Sequence, residues 1–311
     1  MAPPAPLPDP LGAIPFRVRG AVADGVSRER LRRRDLVTPV HGVRASACSD
    51  VTPVEALAVV LRPDQWFSHV TAARIWSAPL PARLRDDTTV HVSSSSEAAM
   101  RRNGVIGHRC RYPDVREHEG KRVSSPARTW FECAGVLTVA ELVAVGDHMV
   151  GRAGLASVDD LAAAVRPGAR GAQVARAALE RVRVGSESAM ESALRLAVVD
   201  AGFPEPQLNI DVHGSSGDFL GRVDMAWPEY RIALEYDGDH HRDQATFRRD
   251  QRRGNGFVVN GWLVIHATAV DPARPAVLFE RLRQAFADRA GRTPRRPTGH
   301  RAEDVARGGR G

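Results

Sequence analysis

Three carboxylates, Asp224, Glu235 and Asp237, stand on or beside two apolar runs of strand length. The runs, 223–227 and 231–236, are separated by a Pro-Glu turn and are typical of a hairpin. Side chains alternate across a strand, so Glu235 and Asp237 share one face, and closing of the hairpin brings Asp224 near the same edge. The pattern therefore predicts that the three carboxylates converge.

Converging carboxylates raise one another's pKa and cannot all remain ionised unless a cation lies among them. A hard divalent ion such as Mg²⁺ or Mn²⁺ takes oxygen ligands and leaves positions for water and phosphate oxygens. The acids therefore predict a metal-dependent phosphodiester hydrolase, with Asp224, Glu235 and Asp237 as metal ligands. The alternative is an ordinary solvated turn, because Asp237-Gly238 is a common turn pair.

The elements around the acids follow the order helix, three strands, helix, strand, helix. The boundaries follow from apolar periodicity, with Gly202 closing the first helix and two prolines separating it from the first strand. The first helix carries a further acid, Glu191. The predicted elements are helix 186–201, strands 207–212, 223–227 and 231–236, helix 243–253, strand 262–266 and helix 275–289.

Four stretches in this order resemble the PD-(D/E)XK restriction-endonuclease-like superfamily: SAMESALRLAVVDAGFPEP, GRVDMAWPEYRIALEYDGDHH, FRRDQRR and GWLVIHATA. Within it they are most similar to the group related to very-short-patch-repair endonucleases. The resemblance covers about residues 180 to 290. It implies a mixed sheet flanked by helices and Mg²⁺-dependent cleavage of DNA. It also implies catalytic roles for Asp224 as the motif aspartate, Glu235 as the second acid and Glu191 as the acid of the preceding helix.

The chain departs from the superfamily pattern at one position, because the family has Lys two residues after the second acid and Asp237 stands here. The chain's single lysine lies outside this stretch. The repair-type relatives also lack that lysine and rely on carboxylates and histidine. This implies that His240 or His241, with His241 taken as the catalytic one, orients or deprotonates the attacking water. A solvated loop is the alternative for the histidines. Asp250 and Arg253, on one helical face, are interpreted as a surface pair or as residues that support the site residues, rather than as catalysts.

A basic segment near the start of the chain is a candidate for contact with nucleic acid. Residues 25–27 are typical of a turn and N-cap, the residues after Ser27 predict a short basic helix, and 37–44 predict a hairpin. Turn, basic helix and hairpin in this order are typical of a winged helix-turn-helix. The cations that would face the major groove are Arg28, Arg32 and Arg33, and a solvated basic face is the alternative.

Further stretches are similar to the winged-helix antitoxins of the abortive-infection AbiE type: GVSRERLRRRDLVTPVHGVRAS, FSHVTAARIW, TTVHVSSSSEAAMRRNGVIGHR and SSPARTWFECAG. The resemblance covers about residues 14 to 150 and implies DNA binding, with a cognate toxin as a partner. Val43 stands where the family has an aromatic after the wing glycine. His69, on a predicted helix 69–76, is interpreted as a packed core residue. The other elements predicted here are strands 88–92 and 105–108 and helices 125–134 and 139–150.

Composition bounds the class of protein. A chain of 311 residues with 43% hydrophobic residues can form two globular domains. A net charge of +7 and a pI near 10.2 favour a polyanionic partner such as DNA, although GC-rich codon use accounts for part of the arginine. Cys48, Cys110 and Cys133 form no disulfide framework or zinc motif, which predicts a reducing cytoplasm. The sequence carries no secretion signal, membrane-length apolar run or nucleophile motif.

These features predict an α+β protein that binds DNA and hydrolyses phosphodiester bonds. The alternative is an antitoxin-type transcriptional regulator whose nuclease-like domain is inactive, and the residues do not separate a DNA-directed from an RNA-directed nuclease. The predicted segments are a disordered leader 1–13, a winged-helix antitoxin-like region 14–150, a helical bridge 151–184, a restriction-endonuclease-like domain 185–290 and a basic disordered tail 291–311.

Overall fold

The protein has an α+β fold, as the sequence predicts. The computed structural model describes residues 6–9, 11–96, 98–237, 253–268 and 275–290. The chain divides into two compact units, Met1–Ala193 and Leu194–Gly311, each with its own strands and helices. Among the described helices, none has both the length and the apolar character needed to cross a membrane.

The first unit begins with a small three-stranded antiparallel sheet. Its strands β1 (Phe16–Arg17), β2 (Leu36–Val37) and β3 (Val43–Ser46) lie in the order β1-β3-β2. Helix α1 (Val18–Ala23) follows β1 directly. The predicted hairpin is therefore present, and a miniature core holds these pieces together, formed by Phe16, Ala21, Val26 and Leu31.

The predicted basic helix after Ser27 is wrong, because this segment forms only one 3-10 turn, Arg30–Arg32. Only eight residues, 28–35, separate Ser27 from β2, and the 3-10 turn takes up three of them. Arg30 instead bonds both oxygens of Asp35, at 3.1 and 2.7 Å. That ion pair and the buried Leu31 fix the turn and direct the chain into β2.

A five-stranded mixed sheet forms the middle of the first unit, in the order β6-β5-β4-β8-β7. Pairing is parallel between β5 and β6 and between β4 and β8, and antiparallel for the other two pairs. The predicted strands at 88–92 and 105–108 correspond to β5 and β6. The strands are β4 (Gln65–Phe67), β5 (Val90–Ser94), β6 (Val105–Arg109), β7 (Val115–His118) and β8 (Lys121–Ser124).

Helices surround this sheet, and side-chain caps explain where several of them begin. Ser125 accepts the Arg128 backbone N–H at the start of α5, and Thr138 forms a capping box with Glu141 at the start of α6. The predicted helix 139–150 is observed with those bounds. The helices are α2 (Pro53–Ala58), α3 (His69–Ile75), α4 (Ala82–Arg85), α5 (Pro126–Cys133), α6 (Val139–Val150), α7 (Val158–Ala164) and α8 (Ala172–Leu179). The next helix, α9 (Ala189–Asp200), spans the boundary between the two units.

A four-stranded mixed sheet forms the second unit, in the order β12-β11-β10-β9. Strands β9, β10 and β11 are antiparallel neighbours, and β12 runs parallel to β11. Helix, three strands, helix, strand, helix is the predicted order, and residues 243–252 of the predicted middle helix lie outside the described residues. The elements are β9 (Gln207–His213), β10 (Phe219–Trp227), β11 (Ile232–Asp237), α10 (253–259), β12 (Leu263–Thr268) and α11 (Ala276–Ala290).

The second sheet buries a hydrophobic cluster on each face. Leu194 of α9 and Leu282 of α11 belong to the cluster on one face, together with Leu234 of β11. Phe257 of α10 packs on the other face, in a cluster with Ala233. Since side chains alternate along β11, Glu235 lies on the face that α10 covers.

Candidate functional site

The hairpin register places Asp224 and Glu235 opposite each other on neighbouring strands. The β10–β11 ladder ends at the pair Met225↔Leu234, and these two acids occupy the next position along it. The Asp224 carboxylate accepts a hydrogen bond of 2.7 Å from the backbone N–H of Tyr236. The Asp224 carboxylate thus takes the place of a backbone carbonyl as the acceptor for this N–H. The bond holds the carboxylate at the end of the paired part of β10 and β11.

A break in the alternation of β9 and β10 occurs beside Asp224. Val223 packs in the cluster under α10, whereas Met225, two residues on, packs in the opposite cluster. Asn209 stands across from Asp224 between the pairs Val223↔Ile210 and Met225↔Leu208, and it has a left-handed φ of 47°. Asn is among the residues that adopt this conformation most readily. The irregular backbone at Asn209 therefore changes the direction of the neighbouring strand at Asp224.

Arg253 at the start of the described part of α10 binds Glu235. Its guanidinium contacts both carboxylate oxygens, at 2.5 and 3.3 Å, and also donates to the backbone carbonyl of Arg222. The Glu235 side chain is 13% exposed and that of Arg253 33% exposed. The guanidinium of Arg253 thus reaches Glu235 from α10, in the forked geometry that is typical of Arg–carboxylate pairs.

His266 on β12 pairs with Asp237. The parallel register sets Glu235 beside His266 and Asp237 beside Thr268. The His266 Nδ1 lies 3.2 Å from an Asp237 carboxylate oxygen, and half of the His266 side chain is exposed. The carboxylate holds one ring nitrogen, and the other nitrogen is then available for proton transfer.

The electrostatics of Glu235 reflect its burial first and its charged neighbours second. Burial raises the pKa of its carboxyl, Asp224 and Asp237 raise it further, and Arg253 and His266 act in the opposite direction. These five side chains therefore form one coupled group, and it borders a small cleft of about 110 Å³. The residues that line the cleft are Glu235, Asp237, Arg253, Gly254, Phe257, Val264 and His266.

The donor set fits a hard divalent ion. Asp224, Glu235 and Asp237 offer oxygen ligands, which Mg²⁺ and Mn²⁺ prefer. Each of the two aspartates makes ionisation of Glu235 more costly, and a cation bound among them would relieve that cost. Arg253 and His266 provide part of the same compensation from within the chain.

The other two predicted catalytic residues are Glu191 and His241. Glu191 lies in the first turn of α9, within the first unit, and its carboxylate accepts the backbone N–H of Glu187 at 2.9 Å. His241, like its neighbour His240, lies outside the described residues, and so does Asp250. Arg253, interpreted as a surface or supporting residue, contacts Glu235.

The predicted DNA-contacting arginines are exposed, and two of them share a groove. Arg28 and Arg32 border a groove of about 530 Å³ beside α1 and the 3-10 turn. Arg19 and Arg44 line the same groove. Arg33 is exposed but does not line it. The four-arginine lining gives this groove a strongly positive potential, although it lacks the predicted recognition helix.

Sequence reasoning missed His266 and the contact of Arg253 because both depend on tertiary pairing. His266 ends the predicted strand 262–266, but a parallel partner separated by 31 residues in sequence has no local signal.

Sequence reasoning also missed a second cluster, in the first unit, where His69, His91 and His108 converge. The sequence assigned His69 to the core and gave the other two no role.

Comparison with known proteins finds two related chains of Mycobacterium tuberculosis, from strains CDC 1551/Oshkosh and ATCC 25618/H37Rv. Each is 32% identical over 174 residues, which is 55% of this chain. The match spans 64% of each relative's length, and both relatives are named as uncharacterized proteins. No family model matches the chain, and no solved structure matches it with significance.

Proposed function

We propose that this chain is a DNA-acting protein whose second unit hydrolyses phosphodiester bonds with a bound Mg²⁺ or Mn²⁺. The observation that carries the proposal is the facing of Asp224 and Glu235 across the end of the β10–β11 ladder, with Asp237 adding to the charge at Glu235. The resemblance to restriction-endonuclease-like domains supports the same acids. The ion would supply Lewis acidity at a phosphodiester oxygen.

The chain's own residues take separate parts in this proposal. Asp224, Glu235 and Asp237 hold the ion. His266, fixed through Nδ1 by Asp237, accepts a proton from the attacking water, which is the part that the sequence gave to His241. The exposed half of the His266 ring is open to solvent and to a phosphodiester.

Arg253 supplies the positive charge that the family pattern places on a lysine after the second acid. Asp237 occupies the lysine position, and Arg253 reaches both oxygens of Glu235 from α10. Guanidinium is always charged and binds carboxylate or phosphate in the same forked manner. The missing lysine is therefore compatible with hydrolysis in this chain.

The first unit binds the DNA backbone through its arginine-lined groove. Arg28 and Arg32 face this groove and can neutralise phosphates without reading bases. All three cysteines are free thiols, which supports action in the reducing cytoplasm.

The test is cleavage of supercoiled plasmid by the full chain with Mg²⁺, Mn²⁺ or EDTA. We expect nicking with either metal and none with EDTA, and Asp224→Asn and Glu235→Gln should each abolish it. Asp211→Asn is the matched control, because Asp211 is a half-exposed acid of the same sheet whose ion-pair partner is Arg222. Cleavage that persists in both Asp224→Asn and Glu235→Gln contradicts the proposal. So does an equal loss of cleavage in these two variants and in the control Asp211→Asn.

A second function is favoured by the contact between Arg253 and Glu235, because a bound guanidinium already neutralises the second acid. In this alternative the chain is an antitoxin-type regulator, with a cognate toxin as partner, that binds DNA without cutting it. Gel-shift measurement in EDTA separates the two functions when paired with the plasmid test. Tight metal-free binding and no cleavage in any metal support the regulator, whereas metal-dependent cleavage supports the hydrolase.

A further inference from the structure

Three histidines of the first unit converge on one point. His69, His91 and His108 each offer a ring nitrogen, and these three atoms lie within 4.8 Å of one another. The His91 Nδ1 is 2.9 Å from the His108 Nε2. For comparison, two imidazole nitrogens bound to one tetrahedral Zn²⁺ lie about 3.3 Å apart. The His69 and His108 rings stack with their centroids 3.6 Å apart, so the rings must rotate for the three nitrogens to bind one ion.

Rigid elements hold the three rings in place. His91 is on β5 and His108 on its parallel neighbour β6. His69 begins α3 with a left-handed φ of 52°, a conformation that costs a non-glycine residue energy. The backbone around it is fixed from both sides, since the Ser68 N–H donates to the His91 carbonyl and the His91 N–H donates to the Thr71 hydroxyl.

A buried carboxylate orients His69. The Glu132 side chain is 4% exposed, accepts the His69 backbone N–H at 3.0 Å and lies 3.7 Å from the His69 Nδ1. Arg128 donates to the other Glu132 oxygen at 2.9 Å. The His69 Nδ1 is closer to the Ser68 hydroxyl, at 3.0 Å, so this hydroxyl together with the nearby carboxylate fixes the ring and directs the other nitrogen to a metal.

The strand face that carries the histidines also has an unsatisfied hydroxyl. Ser93 is 1% exposed, and its Oγ has no hydrogen-bond partner within the described part of the chain. It is two residues from His91, so both share a face of β5, and it stands opposite His108 in the ladder. A buried hydroxyl without a partner is costly, and a water or ligand at a metal beside it would provide one.

We propose that His69, His91 and His108 form a three-histidine site for Zn²⁺ or a similar late transition metal, with Glu132 orienting His69. His91 binds through Nδ1, His108 through Nε2 and His69 through Nε2. Three protein ligands leave a fourth position for water or a small anion, which is the pattern of an open zinc site. The site is independent of the acids of the second unit and of the proposed hydrolysis.

Zinc titration of the full chain tests the site. The protein is prepared without a histidine tag, stripped with chelator and titrated with Zn²⁺ against a chromophoric competitor. The background carries Asp224→Asn and Glu235→Gln, which removes the acids of the second unit as a competing site. We expect one tightly bound zinc, strong weakening in His91→Gln and His108→Gln, and a loss of about 10–100-fold in Glu132→Gln.

His118→Gln is the matched control, because His118 is on β7 of the same sheet and outside the cluster. It should bind zinc as the parent does. If either β-strand variant fails to fold by circular dichroism, His69→Gln at the start of α3 gives the same measurement. A parent chain that binds no zinc, or cluster variants that bind it as tightly as His118→Gln, overturns the site.

Discussion

The contact between Arg253 and Glu235 decides how the acidic group works. A guanidinium against the second acid is either the cation that assists hydrolysis or an internal substitute for the metal. The two roles predict opposite effects of removing the charge. Removal of the Arg253 charge therefore separates the enzyme from the regulator most directly.

We expect Arg253→Gln to reduce metal-dependent plasmid cleavage by about 10²–10³-fold, because a charged donor at a reacting phosphate contributes on that order. Arg253→Lys keeps the charge and should retain more activity than Arg253→Gln. Cleavage rates at saturating Mg²⁺ measure both effects, and thermal melting identifies variants that have lost the fold. A faster rate in Arg253→Gln would show instead that Arg253 blocks the metal.

Local sequence sufficed to place Asp224 and Glu235 opposite each other, but not to find the side chains that contact the acids. Asp224 and Glu235 follow from alternation and one tight turn, both of which are short-range. His266 reaches the group through a parallel pairing, and Arg253 reaches it because α10 packs on that face. Neither pairing nor helix packing leaves a periodic signal in the sequence. For the same reason, His69 was predicted to be a core residue rather than a neighbour of two distant histidines.

The left-handed backbone at Asn209 is expected to affect both stability and cleavage. Its left-handed conformation accompanies the break in alternation that aims Asp224. Replacement by Val should cost about 1–3 kcal/mol, because a β-branched residue is strained there. It should also lower cleavage by displacing Asp224.

Asn209→Gly is the matched control, since glycine adopts the same conformation without strain. Urea unfolding measures the stability of both variants, and the plasmid test measures their activity. Equal stability and activity in the Val and Gly variants would show that the left-handed backbone at Asn209 does not position the acid.

The start of α6 gives a pH-dependent prediction. The hydrogen bond from Arg83 and the cap contacts with Thr138 together lower the pKa of Glu141 to about 2, against the opposing effect of burial. Because the pKa of Glu141 is lower in the folded chain than in the unfolded chain, the ionised carboxylate stabilises the fold at pH values above the unfolded pKa. This stabilisation is lost as the pH falls toward 2. Glu141→Gln should therefore cost about 1–2 kcal/mol at pH 7, since Gln keeps the cap but loses the ion pair.

Urea unfolding from pH 7 down to pH 3 measures this effect. The difference between the parent and Glu141→Gln should shrink below about pH 4.5, near the ordinary pKa of a glutamate. Arg83→Gln should remove most of the same pH dependence while leaving the capping box intact. A difference that stays constant over this range would show that Glu141 acts through its cap alone.

The elements that were predicted well are those with local start signals. Ser125 and Thr138 mark α5 and α6, and the observed helices begin directly after them. Strands β4, β7 and β8 have only three or four residues each, too few to show alternation. The basic helix was mispredicted because the ion pair of Arg30 with Asp35 favours a turn that propensity alone does not reveal.

At the scale of the whole molecule, the net charge of +7 has two explanations. Arginine-rich composition can spread charge without function, or the charge can be concentrated where a polyanion binds. The groove lined by Arg19, Arg28, Arg32 and Arg44 is a local concentration of this kind. Salt dependence of DNA binding distinguishes the explanations, because each neutralised phosphate adds about 0.9 to the slope of log K against log salt.

We expect the double variant Arg28→Ala/Arg32→Ala to lower that slope by about 2 and to weaken binding alike for unrelated DNA sequences, because the groove contacts phosphates rather than bases. The matched control is Arg152→Ala/Arg176→Ala, which removes the same charge from exposed positions of the first unit outside the groove. Fluorescence anisotropy in EDTA over a range of salt measures the slopes without interference from cleavage. If both double variants lower the slope equally, the arginines act through total charge, and the groove is not where DNA binds.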